Sequence, residues 1–328
     1  MVKFTRIILS AVSIVFLGAT MLCAVENYPV RDIKHIMPWD AGGGTDIVMR
    51  AFMSRMEKHL GATIYTVNIV GAKSGLGVQE LMNSKPDGYT IGTLTWDSII
   101  TVPYFALVPN YDLDRLDFIA TVTEPATIIA VHSASPWKTV KDLVEDAKKN
   151  PEKIAVSNVG VGGVWHLPVL DLESKAGVKF RHISFPGGAG EQREALLKRE
   201  VEVACITISG IMPALKSGDA RILGVMSDER LPEYPDIPTF KELGYDCVWG
   251  SMRVVATPKG VADPIRAKLE EACYKAAHDQ DWKDWLVTAG GGGWTWRGSK
   301  DTELYLEKVK SEAFALMDAL VAQGVLKK

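Results

Sequence analysis

Cysteine is scarce in this 328-residue sequence, which has four cysteines and no C-x-x-C pair. The six histidines show no H-E-x-x-H, H-x-H or cysteine–histidine ligand spacing, so we expect no metal ion and no cofactor. Cys205, Cys247 and Cys273 lie beyond the first two dozen residues, and three thiols cannot all pair within one chain. One disulfide with a leftover thiol is an alternative, but the interpretation that we favour is three small, buried, apolar side chains.

The motifs of several enzyme classes are also missing. No glycine loop carries the Lys-Ser/Thr of a P-loop or the G-x-G-x-x-G spacing of a dinucleotide fold, and there is no G-x-S-x-G nucleophile elbow. Cys205 and His166 could be imagined as a thiol–imidazole pair, but Cys205 stands in an apolar run, which favours an inert core thiol. We therefore expect no catalytic residue and no enzyme activity, with an exported hydrolase as the weaker alternative.

Charge and long apolar runs are limited as well. The chain has 37 basic and 40 acidic residues without a basic stripe, which argues against a nucleic-acid partner. Only residues 7–23, which follow Lys3 and Arg6, approach the length of a membrane span. Together with Ala24 before a polar stretch, they are typical of a signal peptide at residues 1–24. An uncleaved anchor and a lipid anchor at Cys23 are weaker alternatives.

Glycine is abundant where the chain leaves its first predicted strand. An apolar run at residues 33–37 predicts this strand, and apolar residues at helical spacing from 48 to 60 predict a helix that stops at Gly61. The loop between them has three consecutive glycines, which allow the backbone to approach a ligand closely. Thr45 and Asp46 are N-cap residue types, so the loop predicts free N–H groups at a helix N-terminus and a site for a carboxylate or phosphate. A capped turn without a ligand is the alternative.

The strand–loop–helix pattern recurs along the chain. A strand at residues 64–70 runs into a glycine turn at 71–77, and a strand at 154–156 runs into a glycine loop that ends at His166. Such units are typical of doubly wound sheets, which bind ligands beyond the carboxyl ends of their strands. Further predicted elements are strands at 89–94, 180–183, 201–208, 222–226 and 253–256, a flexible turn at 289–293 and a last helix at 301–323. Two apolar runs between residues 118 and 131 predict a crossover between two lobes.

Six short motifs stand in an order found in one protein family. They are PWDAGGGTD at 38–46, the glycine turn at 71–77, KPDGYT at 85–90, GVGGVWHL at 160–167, SFPGG at 184–188 and PDIPTFKELGY at 235–245. Each motif is weak alone, but with all six in register the chain resembles the extracytoplasmic solute-binding receptors of tripartite tricarboxylate transporters, also called Bug or TctC-like receptors. The resemblance covers nearly all of the chain after residue 24.

The resemblance implies an α/β fold of the type II periplasmic-binding-protein kind, with two lobes, each a mainly parallel sheet flanked by helices, and two hinge crossovers. Residues 25–125 and 252–328 would form lobe 1, and residues 126–251 lobe 2. The carboxylate of a small organic acid would be held in the interlobe cleft between loops 39–46 and 162–166, partly through ordered waters. The candidate ligand-binding residues are Trp39, Gly43, Gly44, Thr45, Asp46, Ser74, Trp96, Asp97, Gly162, Gly163, Val164, Trp165, His166, Pro186 and Arg253.

The resemblance also implies partners. A receptor of this family would be a periplasmic protein, which we expect to be a monomer, and would deliver its ligand to large and small integral-membrane transporter subunits. A sensor subunit that presents its ligand to a signalling receptor would use the same cleft, so that alternative stays open.

This chain departs from the common family pattern at the cleft. Family members often have Phe and a small residue where this chain has Trp39 and Asp40, and small or hydroxyl residues where it has Val164 and Trp165. The tryptophans would suit an aromatic or flat ligand, or would simply pack.

Two charged residues have two interpretations each. Asp97 follows a predicted strand and would either meet an ammonium or hydroxyl of the ligand or cap a helix. Arg253 stands where the chain returns between the lobes, and would either bind a distal carboxylate or stabilise the hinge through an ion pair.

Overall fold

The computed structural model describes residues 27–290 and 292–327, and the predicted signal peptide and lipid anchor lie outside the described residues. The chain forms two sheets flanked by helices. The strands are β1 Ile33–Met37, β2 Ile64–Asn68, β3 Thr90–Thr95, β4 Leu116–Thr123, β5 Thr127–His132, β6 Ala155–Asn158, β7 Arg181–Ser184, β8 Val203–Thr207, β9 Ala220–Met226, β10 Arg253–Pro258 and β11 Trp294–Gly298. The helices are α1 Gly44–Leu60, α2 Gly75–Met82, α3 Val140–Lys149, α4 Leu167–Ala176, α5 Ala189–Leu197, α6 Ile208–Lys216, α7 Asp263–His278, α8 Gln280–Trp285 and α9 Ser299–Ala322. Short helical turns lie at Asp97–Thr101, Val102–Tyr104, Leu113–Arg115 and Leu286–Gly290.

Both sheets are mixed, with antiparallel strands among a majority that runs in one direction. The first has the order β11-β4-β10-β3-β1-β2, in which β1 is parallel to β2 and β3 while β10 is antiparallel to both of its neighbours. The second has the order β7-β6-β8-β5-β9, in which β6 is parallel to β7 and β8 while β5 is antiparallel to β8 and β9. The chain enters β5 from the first sheet and β10 from the second. Neither connection contains the helix that usually joins parallel neighbours, and both strands lie antiparallel to the strands beside them. The two-lobed α/β architecture is thus as predicted, and most of the described strands run in one direction, four of six in the first sheet and four of five in the second.

Two chain segments connect the sheets side by side. One runs from β4 to β5, and the other leads from β9 to β10. They pair through a bridge between Ala126 and Gly250, through Thr127 N–H donating to the Trp249 carbonyl at 2.8 Å, and through Ser251 N–H donating to the Pro125 carbonyl at 3.0 Å. The crossover predicted between residues 118 and 131 is therefore present.

Local signals account for several helix ends. Helix α1 ends at Gly61, whose φ of 71° lies in the left-handed region that glycine adopts freely. Helix α3 begins with a reciprocal capping box between Thr139 and Asp142, which satisfies two backbone donors. Buried apolar side chains such as Phe52 then fix α1 on the first sheet.

The glycine-rich stretch at residues 289–293 differs in part from its prediction. The stretch predicted as a flexible turn is partly a helical turn, Leu286–Gly290. The edge strand β11, which was not predicted, follows it and pairs with β4.

Cys205, Cys247 and Cys273 are free and buried, which confirms the preferred interpretation of the cysteines. Within the described ranges, no helix is long and apolar enough to span a membrane.

Candidate functional site

A small cavity lies where the two sheets face each other across the crossing segments. Its volume is about 20 Å³, enough for a single water, so the two lobes are in close contact. The lining residues from the first sheet and its loops are Trp39, Gly43, Gly44, Thr45, Thr95 and Asp97, and the others are Val164, Trp165, Gly187, Ala189 and Ser251.

The N-terminus of α1 faces this cavity without a side-chain cap. Gly43 is the N-cap residue, and no side chain bonds to the first turn. Asp46, predicted as a cap and ligand contact, instead accepts hydrogen bonds from the Gly42 N–H, Arg50 Nε and Asn68 Nδ2 at 2.8–2.9 Å. Asp46 therefore holds the loop in shape and leaves the first-turn N–H groups without a side-chain acceptor.

Two helix N-termini of the other lobe approach the same place. Helices α5 and α6 also lack a side-chain cap. A Cβ on Gly43 would lie 3.8 Å from the Gly190 nitrogen in α5, and a Cβ on Gly44 would lie only 2.7 Å from the Gly210 nitrogen in α6. Three positive helix ends therefore converge, which makes the region suitable for an anion.

Arg253 does not line the cavity, but its positive charge lies behind the N-terminus of α6, where it contacts Ser209. Its side chain is buried, and its Nη atoms donate to Thr123 Oγ1 at 3.1 Å and to Ser209 Oγ at 3.0 Å, while its Nε has no partner. The predicted ion pair at the hinge is wrong for the part of the chain that the structure describes, because the partners of Arg253 are hydroxyls from both lobes. Burial lowers the pKa of Arg253 to about 9, which reflects the missing counter-ion.

Asp97 lies at the cavity wall as a buried carboxyl group. Its Oδ1 accepts from Thr101 Oγ1 at 2.8 Å and from the Val164 N–H of the other lobe at 3.3 Å, whereas its buried Oδ2 has no partner. Burial raises the pKa of Asp97 to about 6, and the nearby charge of Lys73 opposes this rise. Asp97 caps no helix, since the helical turn that it begins has Trp96 as N-cap and no side-chain cap.

Two tryptophans line the cavity from opposite lobes. Trp39 donates from Nε1 to Thr95 Oγ1 at 3.1 Å, and its ring lies against Gly188. Trp165 is 8% exposed, and its buried Nε1 has no partner. An unused indole donor at the wall of a cavity can bind an acceptor of a ligand.

The glycine loop before α4 differs from the expected second jaw of the site. Several of its N–H groups are bonded within the protein: Gly162 donates to His166 Nδ1 at 3.0 Å, and Gly163 donates to the Gly160 carbonyl at 3.0 Å. Since Nδ1 of His166 accepts a bond, the ring is neutral, and burial lowers its pKa to about 3. Neither glycine nor His166 lines the cavity, so this loop contributes Val164 and Trp165 instead.

Three further candidates do not line the cavity. Ser74 is hydrogen-bonded to Ser98 at 2.8 Å, and Trp96 packs edge-on against Trp249 at the crossing segments. Pro186 only precedes the lining residue Gly187. Cys205 is buried in β8, and no group of side chains in the described residues could hold a metal ion.

Sequence reasoning missed several residues of the site. The lining residues Gly187 and Ala189 belong to a glycine turn that was recognised as a motif but not as a cavity wall. Lys73, whose Nζ donates to the Val161 carbonyl of the other lobe, was also missed. It lies in a run of three non-glycine residues with φ values of 46°, 53° and 78°, for which the sequence has no glycine signal.

Comparisons with known proteins agree with this architecture. Residues 48–317 match the family described as tripartite tricarboxylate transporter family receptor. A protein from the gbd 5′ region of Cupriavidus necator is 29% identical over 288 residues, which is 88% of this chain and 87% of that protein. The periplasmic binding protein BugD is 26% identical with a TM-score of 0.81, covering 92% of this chain and all of BugD. MatC from Rhodopseudomonas palustris with bound malate is 25% identical with a TM-score of 0.77, covering 90% of this chain and all of MatC. The chain belongs to the TctC family of tripartite tricarboxylate transporter receptors.

Proposed function

We propose that this protein captures a small carboxylate in the periplasm and delivers it to the membrane subunits of a tripartite tricarboxylate transporter. The observation that carries the proposal is the buried Arg253, which has no counter-ion among the described residues and lies behind three uncapped helix N-termini. A positive region without a protein anion is suited to an anionic ligand.

The N–H groups of the first turn of α1 are the primary carboxylate donors in this proposal. Gly43 and Gly44 provide the close backbone approach, and Thr45 adds a hydroxyl at the cavity wall. The N-termini of α5 and α6 contribute from the other lobe, and Trp165 Nε1 is a further donor. These donors come from both lobes, so the ligand would hold the lobes together.

Ligand entry requires the lobes to separate, because a cavity of about 20 Å³ is too small for an organic acid. Residues 25–125 and 252–328 would move as lobe 1 and residues 126–251 as lobe 2. The hinge would lie at the two crossing segments, near residues 122–128 and 249–253. The closed form binds the ligand with more donors than the open form, so the ligand shifts the population toward closure.

Two similar structures support the proposed class of ligand and the proposed location. MatC has bound malate, a dicarboxylate, and BugD is a periplasmic binding protein. Both similarities extend over nine-tenths of this chain.

A thermal-shift screen of mono-, di- and tricarboxylates tests the carboxylate site, with the corresponding amides as neutral controls. A carboxylate at a hundred times its dissociation constant should raise the free energy of unfolding by about 2.7 kcal/mol. Arg253→Gln should weaken the binding of that carboxylate at least about tenfold, a loss of about 1.4 kcal/mol. It should not lower the free energy of unfolding without ligand, because it removes a buried charge that has no counter-ion among the described residues, and the Gln amide can still donate to the neighbouring hydroxyls. The absence of any response to the whole panel would refute the proposal.

A further inference from the structure

We propose that the ligand of this cavity is zwitterionic, a carboxylate that also carries an ammonium group, and that Asp97 Oδ2 binds this ammonium. The inference deepens the proposed function and rests on it, because it assigns a second charged group of the ligand in addition to the carboxylate.

One oxygen of the Asp97 carboxyl group accepts hydrogen bonds and the other does not. Asp97 is 0% exposed, and its Oδ1 is occupied by Thr101 and the Val164 N–H. Its Oδ2 is buried without a hydrogen-bond partner, although Asp97 is part of the cavity wall. A buried carboxylate oxygen without a donor costs free energy, and a ligand that supplies an N–H donor removes this cost.

The charge of the cavity wall comes from Asp97. Asp97 is the one ionisable side chain among the lining residues of this cavity in the described part of the chain. Lys73 acts on Asp97 from a distance, but its Nζ bonds to the Val161 carbonyl and does not line the cavity. A second carboxylate of a plain diacid would therefore meet a negative group here, which disfavours such ligands by repulsion.

Groups of both signs lie at or behind the cavity wall. The helix N-termini and Arg253 provide the positive charge, and a Cβ on Gly44 would be 3.0 Å from Ser209 Oγ, the acceptor of Arg253. Asp97 provides the negative charge, and its Oδ1 accepts from the Val164 N–H. A small ligand with one charge of each sign complements both kinds of group at once.

Isothermal titration calorimetry with matched pairs of probes tests the inference. The pairs are L-aspartate and succinate, L-glutamate and glutarate, 4-aminobutyrate and butyrate, and L-phenylalanine and 3-phenylpropanoate. We expect at least one amine-bearing probe to bind the wild type at least about tenfold more tightly than its partner without the amine. Asp97→Asn keeps the shape of the side chain, and should abolish this ratio by weakening only the amine-bearing probe.

Asp32→Asn is the matched control, because Asp32 is an exposed carboxylate that does not line the cavity. It should leave the ratio unchanged. If probes without an amine bind as tightly as their partners, or if D97N weakens both members of a pair equally, Asp97 has only a structural role and the inference fails while the carboxylate site stands. If none of these probes and none of the carboxylate panel binds, both proposals fail.

Discussion

At the scale of single residues, buried ionisable groups without a counter-ion among the described residues distinguish this site from an ordinary packed interface. Asp97 and Arg253 are both fully enclosed, yet neither forms an ion pair with the other or with another described residue. Enclosed charges destabilise a folded protein unless something compensates for them. Asp97 lines the small cavity and Arg253 lies behind the helix ends that face it, so we propose that a ligand supplies the compensation.

The pH dependence of stability provides a direct test of the burial of Asp97. Burial raises its pKa from 3.8 to about 6. Between these values the folded protein keeps the proton while the unfolded chain has released it, so the free energy of unfolding falls as the pH rises through this window. The change corresponds to about 3 kcal/mol. Because D97N cannot ionise, its stability relative to the wild type should rise by this order of magnitude between about pH 4 and pH 7.

Urea unfolding of both proteins without ligand at the two ends of that pH range measures this difference. A gap between variant and wild type that is the same at both pH values would contradict the raised pKa of Asp97.

At the scale of secondary-structure elements, the helix N-termini and the glycines in front of them determine how closely the lobes approach. Gly43 and Gly44 allow α1 to meet α5 and α6 at backbone distance. Helix dipoles of the same sign repel one another when they converge, so this arrangement is more stable with an anion between them. None of the three helices has a side-chain cap, and the missing cap lowers the stability of its first turn.

Gly44→Ala should impair closure without unfolding either lobe. The added Cβ would lie 2.7 Å from the Gly210 nitrogen, which is backbone of the other lobe and cannot move aside alone. We expect at least about a tenfold loss of carboxylate affinity. In small-angle scattering, the variant should also keep a larger radius of gyration than the wild type.

Gly190→Ala is the control, since its Cβ would meet nothing closer than Gly43 Cα at 3.9 Å, an ordinary contact. The control should bind like the wild type. Equal affinities of G44A and G190A would show that close approach at Gly44 is not needed for binding.

At the scale of the whole molecule, one cluster of buried apolar side chains contains residues of both lobes, such as Phe52 and Val156, so the core is continuous from one sheet to the other. The cysteines in this cluster illustrate how completely it excludes solvent. Cys205, Cys247 and Cys273 are each 0% exposed, and burial raises the pKa of their thiols, that of Cys247 to about 12. None of the three forms a disulfide.

A thiol reagent should therefore modify none of these three cysteines in the native protein and all three in denaturant, as measured by peptide mass spectrometry. Protonated, enclosed thiols are poor nucleophiles, which is the reason for the protection. Reducing agent should leave the thermal midpoint unchanged. A native protein that reacts at Cys247 would show that lobe 2 opens locally.

Much of the fold could be predicted because its signals are local. Apolar periodicity predicted β1 and α1, and glycine predicted the end of α1 at Gly61. The capping box of α3 is readable from Thr139 and Asp142, which are only three residues apart. The strand β11 was not predicted, since its pairing with β4 joins residues more than 170 positions apart.

The sequence by itself determined the two-lobed α/β fold, the glycine loop before α1 and the absence of recognisable catalytic motifs. These depend on periodicity, turn chemistry and short motifs, in which neighbouring residues carry the information. Only the tertiary structure decided which N–H groups are available to a ligand. Those of Gly162, Gly163 and Val164 before α4 are bonded within the protein, whereas α1, α5 and α6 present uncapped first turns to one another. It also decided that both carboxylate oxygens of Asp46 accept hydrogen bonds, whereas Oδ2 of Asp97 has no hydrogen-bond partner. The physical reason is that a hydrogen bond or a counter-charge is satisfied by whatever lies nearby in space, and at the interlobe cavity those neighbours come from distant parts of the chain.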